Sequence, residues 1–156
     1  MTDGQLVIDA SVLAKIFLKD EEFSAIAESI VQRYVEGSVE LVAPQLILYE
    51  IPSAIQAAVR QRRLSSNDAR QAIVDFFALG IPTLGDADTL QPMIQSAYLR
   101  AEQLGCRMYD ALYLVAGEVL GYRFVTADWK LYDLIKNQVG YAIWIADYER
   151  ESATAP

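Results

Sequence analysis

Four carboxylates at the edges of apolar segments are the residues of this chain whose type and position could do chemistry. Asp9 follows QLVI, Glu50 lies in LILYE, Asp110 opens DALYLV and Asp128 follows FVTA. A negative group beside a buried segment loses hydration, and several that converge repel one another unless a cation lies between them. The pattern therefore indicates a metal site. Because the chain has no histidine, the ligands would all be oxygen atoms, which points to Mg²⁺ or Mn²⁺.

The lack of histidine also restricts the reactions that are open to this chain. It can build neither a Ser-His-Asp nor a Cys-His nucleophile, and it has no histidine pair for acid–base catalysis. An activated water would have to come from metal chemistry, which lowers the pKa of water and stabilises charge on a phosphate oxygen. Hydrolysis at an oxygen-ligated metal is thus the reaction class that these residues favour.

Length and composition predict one domain. The 156 residues are enough for a core of their own, and we expect the domain to span 1–148, with a frayed tail over 149–156. Cys106 is the single cysteine, so neither an internal disulfide nor a Cys/His zinc site can form. The N-terminal segment lacks a basic leader and an unbroken apolar span of about 20 residues. These features predict a cytoplasmic protein without a membrane anchor.

The net charge of −8 limits how this chain could bind nucleic acid. Phosphate binding draws on clustered lysine and arginine, so any such contact is expected to be local, and the acidity leaves room for a basic protein partner. The candidate substrate contacts are the cluster of Arg60, Arg62 and Arg63, together with Arg107 and Lys130, which flank the predicted acids. The alternative for the cluster is a solvated helix end, where cations are favoured.

Aromatic residues near the last two acids could stack on unpaired bases. Aromatic residues at helical spacing are more often part of a core or an interface. The residues concerned are Tyr109, Tyr113, Trp129 and Tyr132.

Short β-type segments alternate with longer helical patterns, which is typical of a parallel sheet covered by helices on both faces. The expected fold is therefore α/β: a three-layer α/β/α sandwich around a mostly parallel sheet of about five strands. Strands are predicted at 5–9, 40–43, 81–84, 123–126 and 141–145, and helices at about 11–19, 21–36, 45–63, 67–79, 89–104, 110–120 and 129–137.

This architecture predicts where the acids lie. In open α/β sheets, binding crevices lie beyond the carboxyl ends of the strands. Asp9 ends the first predicted strand and Asp128 lies two residues beyond the fourth, so both are expected at one rim of the sheet. Asp110 and Glu50 lie on predicted helices that could reach the same rim.

Each aspartate also has a structural alternative, because an aspartate between a strand and a helix is often an N-cap. Asp110, which opens the sixth predicted helix, suits that role. Glu50 is harder to explain structurally, since its neighbours are apolar and a purely structural helix would carry an apolar or small residue there. Pro52 falls inside the same predicted helix and should remove one backbone hydrogen bond.

Three segments resemble the signature segments of the PIN-domain ribonucleases, and most closely those of the VapC toxins of bacterial and archaeal toxin–antitoxin pairs. They are VIDASVLAKIFL, PQLILYE and YDALYLVAGEVLGYRFVTADWKL, in that order over about residues 6–145. Asp9 matches the acid that ends the family's first strand, Glu50 the helix glutamate, Asp110 the aspartate of Tyr-Asp-Ala and Asp128 that of Thr-Ala-Asp. Ser11 matches a small hydroxyl or amide residue, and Thr126 matches the threonine of Thr-Ala-Asp.

The resemblance implies a metal-dependent endoribonuclease that hydrolyses RNA phosphodiester bonds to leave 5′-phosphate and 3′-hydroxyl ends. In that scheme the four acids hold Mg²⁺ or Mn²⁺, directly or through water, and Ser11 and Thr126 orient carboxylates by hydrogen bonding. The resemblance also implies an RNA substrate, a small antitoxin as protein partner and a homodimer.

Other functions remain compatible with these residues. A PIN nuclease that processes RNA without being a toxin would carry the same acids, and a PIN-like module could bind a partner or RNA without cutting it, although the complete acid set argues against the latter. A phosphohydrolase with an aspartyl-phosphate intermediate would also place Asp9 at the end of the first strand. It would usually need a second acid two residues later, where this chain has Ser11.

Overall fold

The computed structural model describes residues 4–149, so the predicted tail lies outside the described residues apart from Glu149. The described part alternates strands and helices in one α/β arrangement, with short 3-10 segments at Ala14–Ile16 and Ile145–Asp147. The strands are β1 (Gln5–Ile8), β2 (Glu40–Pro44), β3 (Thr83–Leu84), β4 (Arg123–Thr126) and β5 (Ala142–Trp144). The helices are α1 (Ala10–Leu13), α2 (Ser24–Val35), α3 (Ile47–Arg60), α4 (Ser66–Ala78), α5 (Leu90–Leu104), α6 (Met108–Leu120) and α7 (Trp129–Ile135).

The five strands form one sheet in the order β3-β2-β1-β4-β5, and each neighbouring pair is parallel. In the central strand, Val7 pairs with Val42 of β2 on one side and with Phe124 of β4 on the other. Leu6, Val7 and Ile8 are fully buried, as expected for a strand that is covered on both faces. The predicted α/β class and parallel sheet are therefore confirmed.

Helices cover both faces of this sheet. The chain steps outward from β1 to β2 and β3, then crosses back to β4 and β5, and right-handed crossovers place α1 to α4 on one face and α5 to α7 on the other. Helix α6 packs across β1, β2 and β4. The result is the predicted three-layer sandwich, with the central strands at the core.

The third strand is shorter than predicted, and the reason is Pro82. Proline has no backbone N–H to give to a neighbouring strand. Its carbonyl still accepts a hydrogen bond of 3.1 Å from the backbone N–H of Ala43, so the chain lies alongside β2 before β3 begins at Thr83. The predicted strand at 81–84 is thus confirmed in position and reduced in length.

The helix predicted at 11–19 is wrong in form. The α-helix ends at Leu13 and the chain tightens into a 3-10 turn over Ala14–Ile16, after which the backbone N–H groups of Phe17 and Leu18 both donate to the carbonyl of Ala14. This turn buries Leu18 in the core. Tertiary packing has therefore overridden the helical pattern of the segment.

The start of α6 shows whether Asp110 is an N-cap residue. The helix begins at Met108, its N-cap residue is Arg107, and Asp110 is the third helical residue. The N-cap alternative for Asp110 is therefore wrong.

Helix α3 runs through Pro52 to Arg60. Within residues 4–149, we find no helix with the length and apolarity needed to cross a membrane.

Candidate active site

The ends of β1 and β4 bring the first acid together with the Thr-Ala-Asp segment. Asp9 follows β1 directly and its backbone N–H donates a 3.0 Å hydrogen bond to the carbonyl of Val125 in β4. Thr126, the last residue of β4, is fully buried and donates from Oγ1 to Oδ2 of Asp9 at 2.6 Å. Because parallel neighbours end at the same edge, this contact is a direct product of the strand order.

Two hydroxyl groups hold Asp9 in place. Ser11 Oγ also donates to Oδ2 of Asp9 at 2.6 Å, so both hydroxyls use the same oxygen. Each hydroxyl is itself fixed by the backbone, since Ser11 Oγ accepts from the N–H of Ala127 at 2.9 Å and Thr126 Oγ1 accepts from the N–H of Asp128 at 3.0 Å. These are the contacts that the predicted orienting role of Ser11 and Thr126 requires.

Asp9 is held where its charge is unfavourable. Its exposed fraction is 9%, and burial raises its pKa above the ordinary value of 3.8. The hydrogen bonds from Ser11 and Thr126 lower the pKa in part, while the negative charge of Asp110 raises it further. Asp9 and Asp110 therefore lie near enough to repel each other, which is the situation in which a cation stabilises a site.

Glu50 is brought to the same rim by α3, of which it is the fourth residue. Its Oε2 accepts a hydrogen bond of 2.6 Å from the phenol of Tyr113 in α6. Burial raises the pKa of Glu50, the Tyr113 hydrogen bond opposes that shift, and the charges of Asp9 and Asp110 add to it. Glu50, Asp9 and Asp110 thus share one electrostatic environment.

Asp110 and Asp128 are joined by Arg107. The guanidinium donates from Nε to Oδ2 of Asp110 at 2.8 Å and from Nη2 to Oδ1 at 2.9 Å, and Nη2 also lies 3.3 Å from Oδ2 of Asp128. The pKa of Arg107 is raised by these partners, chiefly by Asp110. Asp128 is in addition the N-cap of α7, since its Oδ1 accepts from the N–H of Leu131 at 3.1 Å. The N-cap role considered for this aspartate is therefore confirmed, and the residue also lies near Asp110 at the rim.

The chemistry of the donors suits Mg²⁺ or Mn²⁺. All four predicted ligands offer carboxylate oxygens, which these ions prefer. As the described residues stand, no three Asp, Glu or Cys side chains are close enough together to hold one ion. Mg²⁺ is usually bound through one or two carboxylates, with water and substrate phosphate completing its shell, so a full protein cage is not required.

A groove of about 950 Å³ opens beside the acids. Ser11, Glu50 and Asp128 contribute to its lining, together with apolar and aromatic residues from α1, α3 and α7. Tyr49 and Trp129, the chain neighbours of Glu50 and Asp128, also line it and are 75% and 52% exposed. An exposed aromatic ring beside a carboxylate site offers a flat surface on which a base could stack.

The predicted substrate contacts fall into two groups. Lys130 lines both the groove and a smaller cavity of about 420 Å³ that also holds Arg107, Asp110 and Asp128. Arg107 and Lys130 therefore lie beside Asp110 and Asp128, and their contact with substrate stays a prediction.

The arginine cluster at the end of α3 is not brought to these acids. Arg60 lies ten residues beyond Glu50 on the same helix, which is about 15 Å along the axis. Arg62 lies beyond the helix end and is exposed. Arg63 donates to Asp20 at 2.8 and 2.9 Å and to Glu21 at 2.8 Å. The solvated-end alternative describes this cluster better, and its contact with substrate stays a prediction.

Two residues of the groove, Lys15 and Tyr49, were not predicted from the sequence, and Tyr113, which was considered for base stacking, lies in the core. Lys15 is buried in the groove lining and pairs with Glu21 at 3.3 Å. A lysine within VLAKIFL is a charge among apolar residues, which is the signal that singled out Glu50. Tyr49 precedes Glu50 and gave no signal of its own. Tyr113 is only 2% exposed, so it meets Glu50 rather than a base.

Comparison with known proteins agrees with this fold. The family model of the PIN domain matches residues 6–137. The chain is also 24% identical over 131 residues to Ribonuclease VapC3 of Pyrobaculum aerophilum, and that match covers 81% of this chain and 92% of the relative. With a match over most of its length and a parallel five-stranded sheet in the described residues, the chain belongs to the PIN-domain family.

Proposed function

We propose that this chain is a metal-dependent endoribonuclease that hydrolyses RNA phosphodiester bonds and serves as the toxin of a toxin–antitoxin pair. The observation that carries the proposal is Asp9: the fold buries this carboxylate within the field of Asp110 and raises its pKa. Such an arrangement costs stability and has a functional explanation when a cation binds there. Membership of the PIN-domain family and the likeness to Ribonuclease VapC3 support it.

Each acid has a role in this proposal. Asp9, Asp110 and Asp128 hold Mg²⁺ or Mn²⁺, directly or through water, and Glu50 is a further ligand or positions a water molecule. When bound, the ion supplies Lewis-acid chemistry, which lowers the pKa of water and neutralises charge at the phosphate. Ser11 and Thr126 restrain Asp9 through Oδ2, and Oδ1 is the oxygen to which neither hydroxyl donates.

Substrate binding is assigned to the groove. A strand of RNA in the groove would place its phosphates near Lys15 and Lys130 and its bases against Tyr49 and Trp129. Stacking is tolerant of sequence because every base has an aromatic face. The few cations of this acidic chain would then act locally, beside the acids.

The remaining assignments follow from the toxin role. A small antitoxin would cover the groove, and a net charge of −8 favours a basic segment in that partner. We also propose that this chain forms a homodimer and is located in the cytoplasm. Co-expression with the product of the neighbouring open reading frame should relieve growth arrest if the chain is a toxin, and the absence of growth arrest would favour a housekeeping nuclease.

The test of the activity is cleavage of a labelled single-stranded RNA by the purified chain, with Mg²⁺, with Mn²⁺ and with EDTA. We expect metal-dependent cleavage that leaves 5′-phosphate ends and falls at least about 100-fold in Asp110→Asn. The matched control is Asp133→Asn, which removes an exposed acid of α7 that is paired with Lys136 and should leave cleavage unchanged. Cleavage that persists in EDTA, or in Asp110→Asn, would reject the proposal.

A non-catalytic PIN-like binding module is the second candidate. The observation in its favour is that no three potential ligands within the described part of the chain converge on one point. Calorimetric titration with Mn²⁺ separates the two, because a nuclease should bind the ion through its carboxylates and lose affinity in Asp110→Asn.

A phosphohydrolase with an aspartyl-phosphate intermediate has less support. It would usually need an acid two residues after Asp9. That position is Ser11, whose hydroxyl donates a hydrogen bond to Asp9. Hydrolysis of a small phosphate ester by the chain would reinstate this alternative.

A further inference from the structure

Arg107 places a positive charge between two of the carboxylates. It lies immediately before α6, and its guanidinium is bidentate to Asp110 and also contacts Asp128. The two acids come from different parts of the fold, one inside the first turn of α6 and the other at the N-cap of α7. One side chain therefore links the two helices across the rim.

The contacts leave these two acids fully engaged. Both oxygens of Asp110 accept hydrogen bonds from Arg107. Of the two oxygens of Asp128, Oδ1 accepts from the backbone N–H of Leu131 and Oδ2 from Arg107. Each of the four oxygens therefore already accepts one hydrogen bond, and a metal ion that approaches Asp110 or Asp128 meets the positive charge of Arg107 beside them.

Stability alone does not account for these contacts. The side chain of Asp110 is 16% exposed, but that of Arg107 is 72% exposed, so water screens the ion pair and limits its contribution to folding. Arg107 is the N-cap residue of α6 but makes no capping hydrogen bond with its side chain. What its charge does is offset the repulsion among Asp110, Asp128 and Asp9, all of which interact with it.

We propose that Arg107 is a built-in counter-cation, which neutralises Asp110 and Asp128 while the site is free of metal and competes with an incoming ion for their charge. This inference rests on the proposed function and deepens it, because it names the residue that sets the metal affinity of the site. Once released, the exposed guanidinium can turn toward the cavity that it shares with Lys130, where a planar fork suits a substrate phosphate. Arg107 is thus a positioning residue for the acids.

The test is calorimetric titration with Mn²⁺ alone, in the absence of RNA, on the wild type, Arg107→Gln and Arg107→Lys. Arg107→Gln removes the competing charge and should bind Mn²⁺ about three- to tenfold more tightly than the wild type. Arg107→Lys keeps the charge but loses the bidentate fork, and its affinity should lie between the other two. The matched control is Arg70→Gln, which removes an exposed cation of α4 that lines neither this cavity nor the groove. It should change the affinity by less than about twofold.

A second readout separates this role from a purely structural one. In EDTA, Arg107→Gln leaves Asp110 and Asp128 without their counter-charge and should melt at a lower temperature than the wild type, while saturating Mn²⁺ should remove most of that difference. Equal Mn²⁺ affinity in the wild type and Arg107→Gln would overturn this inference and leave the proposed nuclease standing. No binding of Mn²⁺ by any variant would overturn the metal dependence and this inference together.

Discussion

The phenol of Tyr113 donates a 2.6 Å hydrogen bond to Oε2 of Glu50 and joins the core face of α6 to a carboxylate on α3. Tyr113 is buried and packs beside Phe124 of β4, with ring centroids 6.1 Å apart. The oxygen of the phenol thus comes from a rigid, apolar environment. Tyr113 consequently holds Glu50 through Oε2 at the lining of the groove.

Replacement of Tyr113 by Phe should lower activity without unfolding the chain. The change removes the hydrogen bond to Glu50 and keeps the ring in the core, so we expect a loss of about 10- to 100-fold in kcat or in metal affinity. The free energy of unfolding should fall by only about 1 kcal/mol. RNA cleavage and Mn²⁺ titration measure the first effect and urea unfolding the second.

The control for this prediction is Tyr122→Phe. Tyr122 also donates to a glutamate, Glu40, at 2.9 Å, but this pair lies at the opposite edge of the sheet, where β2 and β4 begin. Its loss should leave cleavage unchanged. An equal loss of activity in both variants would show that Tyr113 acts through general stability rather than through Glu50.

The hydroxyl of Thr126 should matter more than its methyl group. Thr126→Val leaves the buried Asp9 with one hydroxyl donor and the N–H of Asp128 without its acceptor, which should cost about 1–3 kcal/mol of stability and about 10- to 100-fold in cleavage rate. Thr126→Ser keeps the hydroxyl and should lose only about 1 kcal/mol through the missing methyl, with activity retained. Wild-type activity in Thr126→Val would contradict the orienting role.

Metal-free stability should depend on pH through Asp9. Its pKa in the folded chain is raised above the ordinary 3.8, so protonation of Asp9 stabilises the fold. That stabilisation is complete below pH 3.8 and is lost as the pH rises through the raised pKa. In EDTA, Asp9→Asn should therefore match or exceed the wild type in melting temperature, by a margin that grows as the pH rises above 3.8, while cleavage is abolished.

Asp86→Asn gives a control of opposite sign. Hydrogen bonds from Thr89 lower the pKa of Asp86, so its stabilising effect is present above pH 3.8 and is lost as the pH falls. This variant should be less stable than the wild type at neutral pH and approach it in acid. If Asp9→Asn behaved in the same way, the account of Asp9 as a destabilising charge would be wrong.

Replacement of Trp129 by Ala should weaken RNA binding and spare the chemical step. Loss of one stacked base contact costs about 1–3 kcal/mol, so we expect KM to rise about tenfold with kcat little changed. Tyr98→Ala removes an exposed ring of α5 that lies outside the groove lining and is the control. A fall in kcat with constant KM would contradict a role in binding.

The meeting of Asp9 with Thr126 was predictable because it follows from topology. Parallel strands end at one edge, and the apolar segments that end in Asp9 and Thr126 mark two such strands. Glu50 was predictable for a different reason, since a charge among apolar residues has to be explained by a partner. That partner is Tyr113, which lies 63 residues away and donates a hydrogen bond to Glu50. A sequence pattern can show that Tyr113 is buried, but it does not identify the atom that its hydroxyl contacts.

The pairing of Arg107 could not be read from the sequence because it depends on where α6 begins. With a start at residue 110, Arg107 would lie in the preceding loop, free of the first helical turn. The helix begins two residues earlier, at Met108, so Arg107 is its N-cap residue and Asp110 lies in its first turn. In this geometry the guanidinium meets both oxygens of Asp110. Helix ends are the features that local patterns determine least well.

The late position of β4 in the chain has a consequence for protein synthesis. β4 begins at Arg123 and is the direct neighbour of the first strand, so Thr126 and Asp128 reach Asp9 only after this strand has joined the sheet. A nascent chain that ends before residue 123 therefore cannot assemble the rim, whatever its N-terminal half has folded into. The four acids of the rim are therefore together only late in synthesis, once the segment that ends in Asp128 has folded against the first strand.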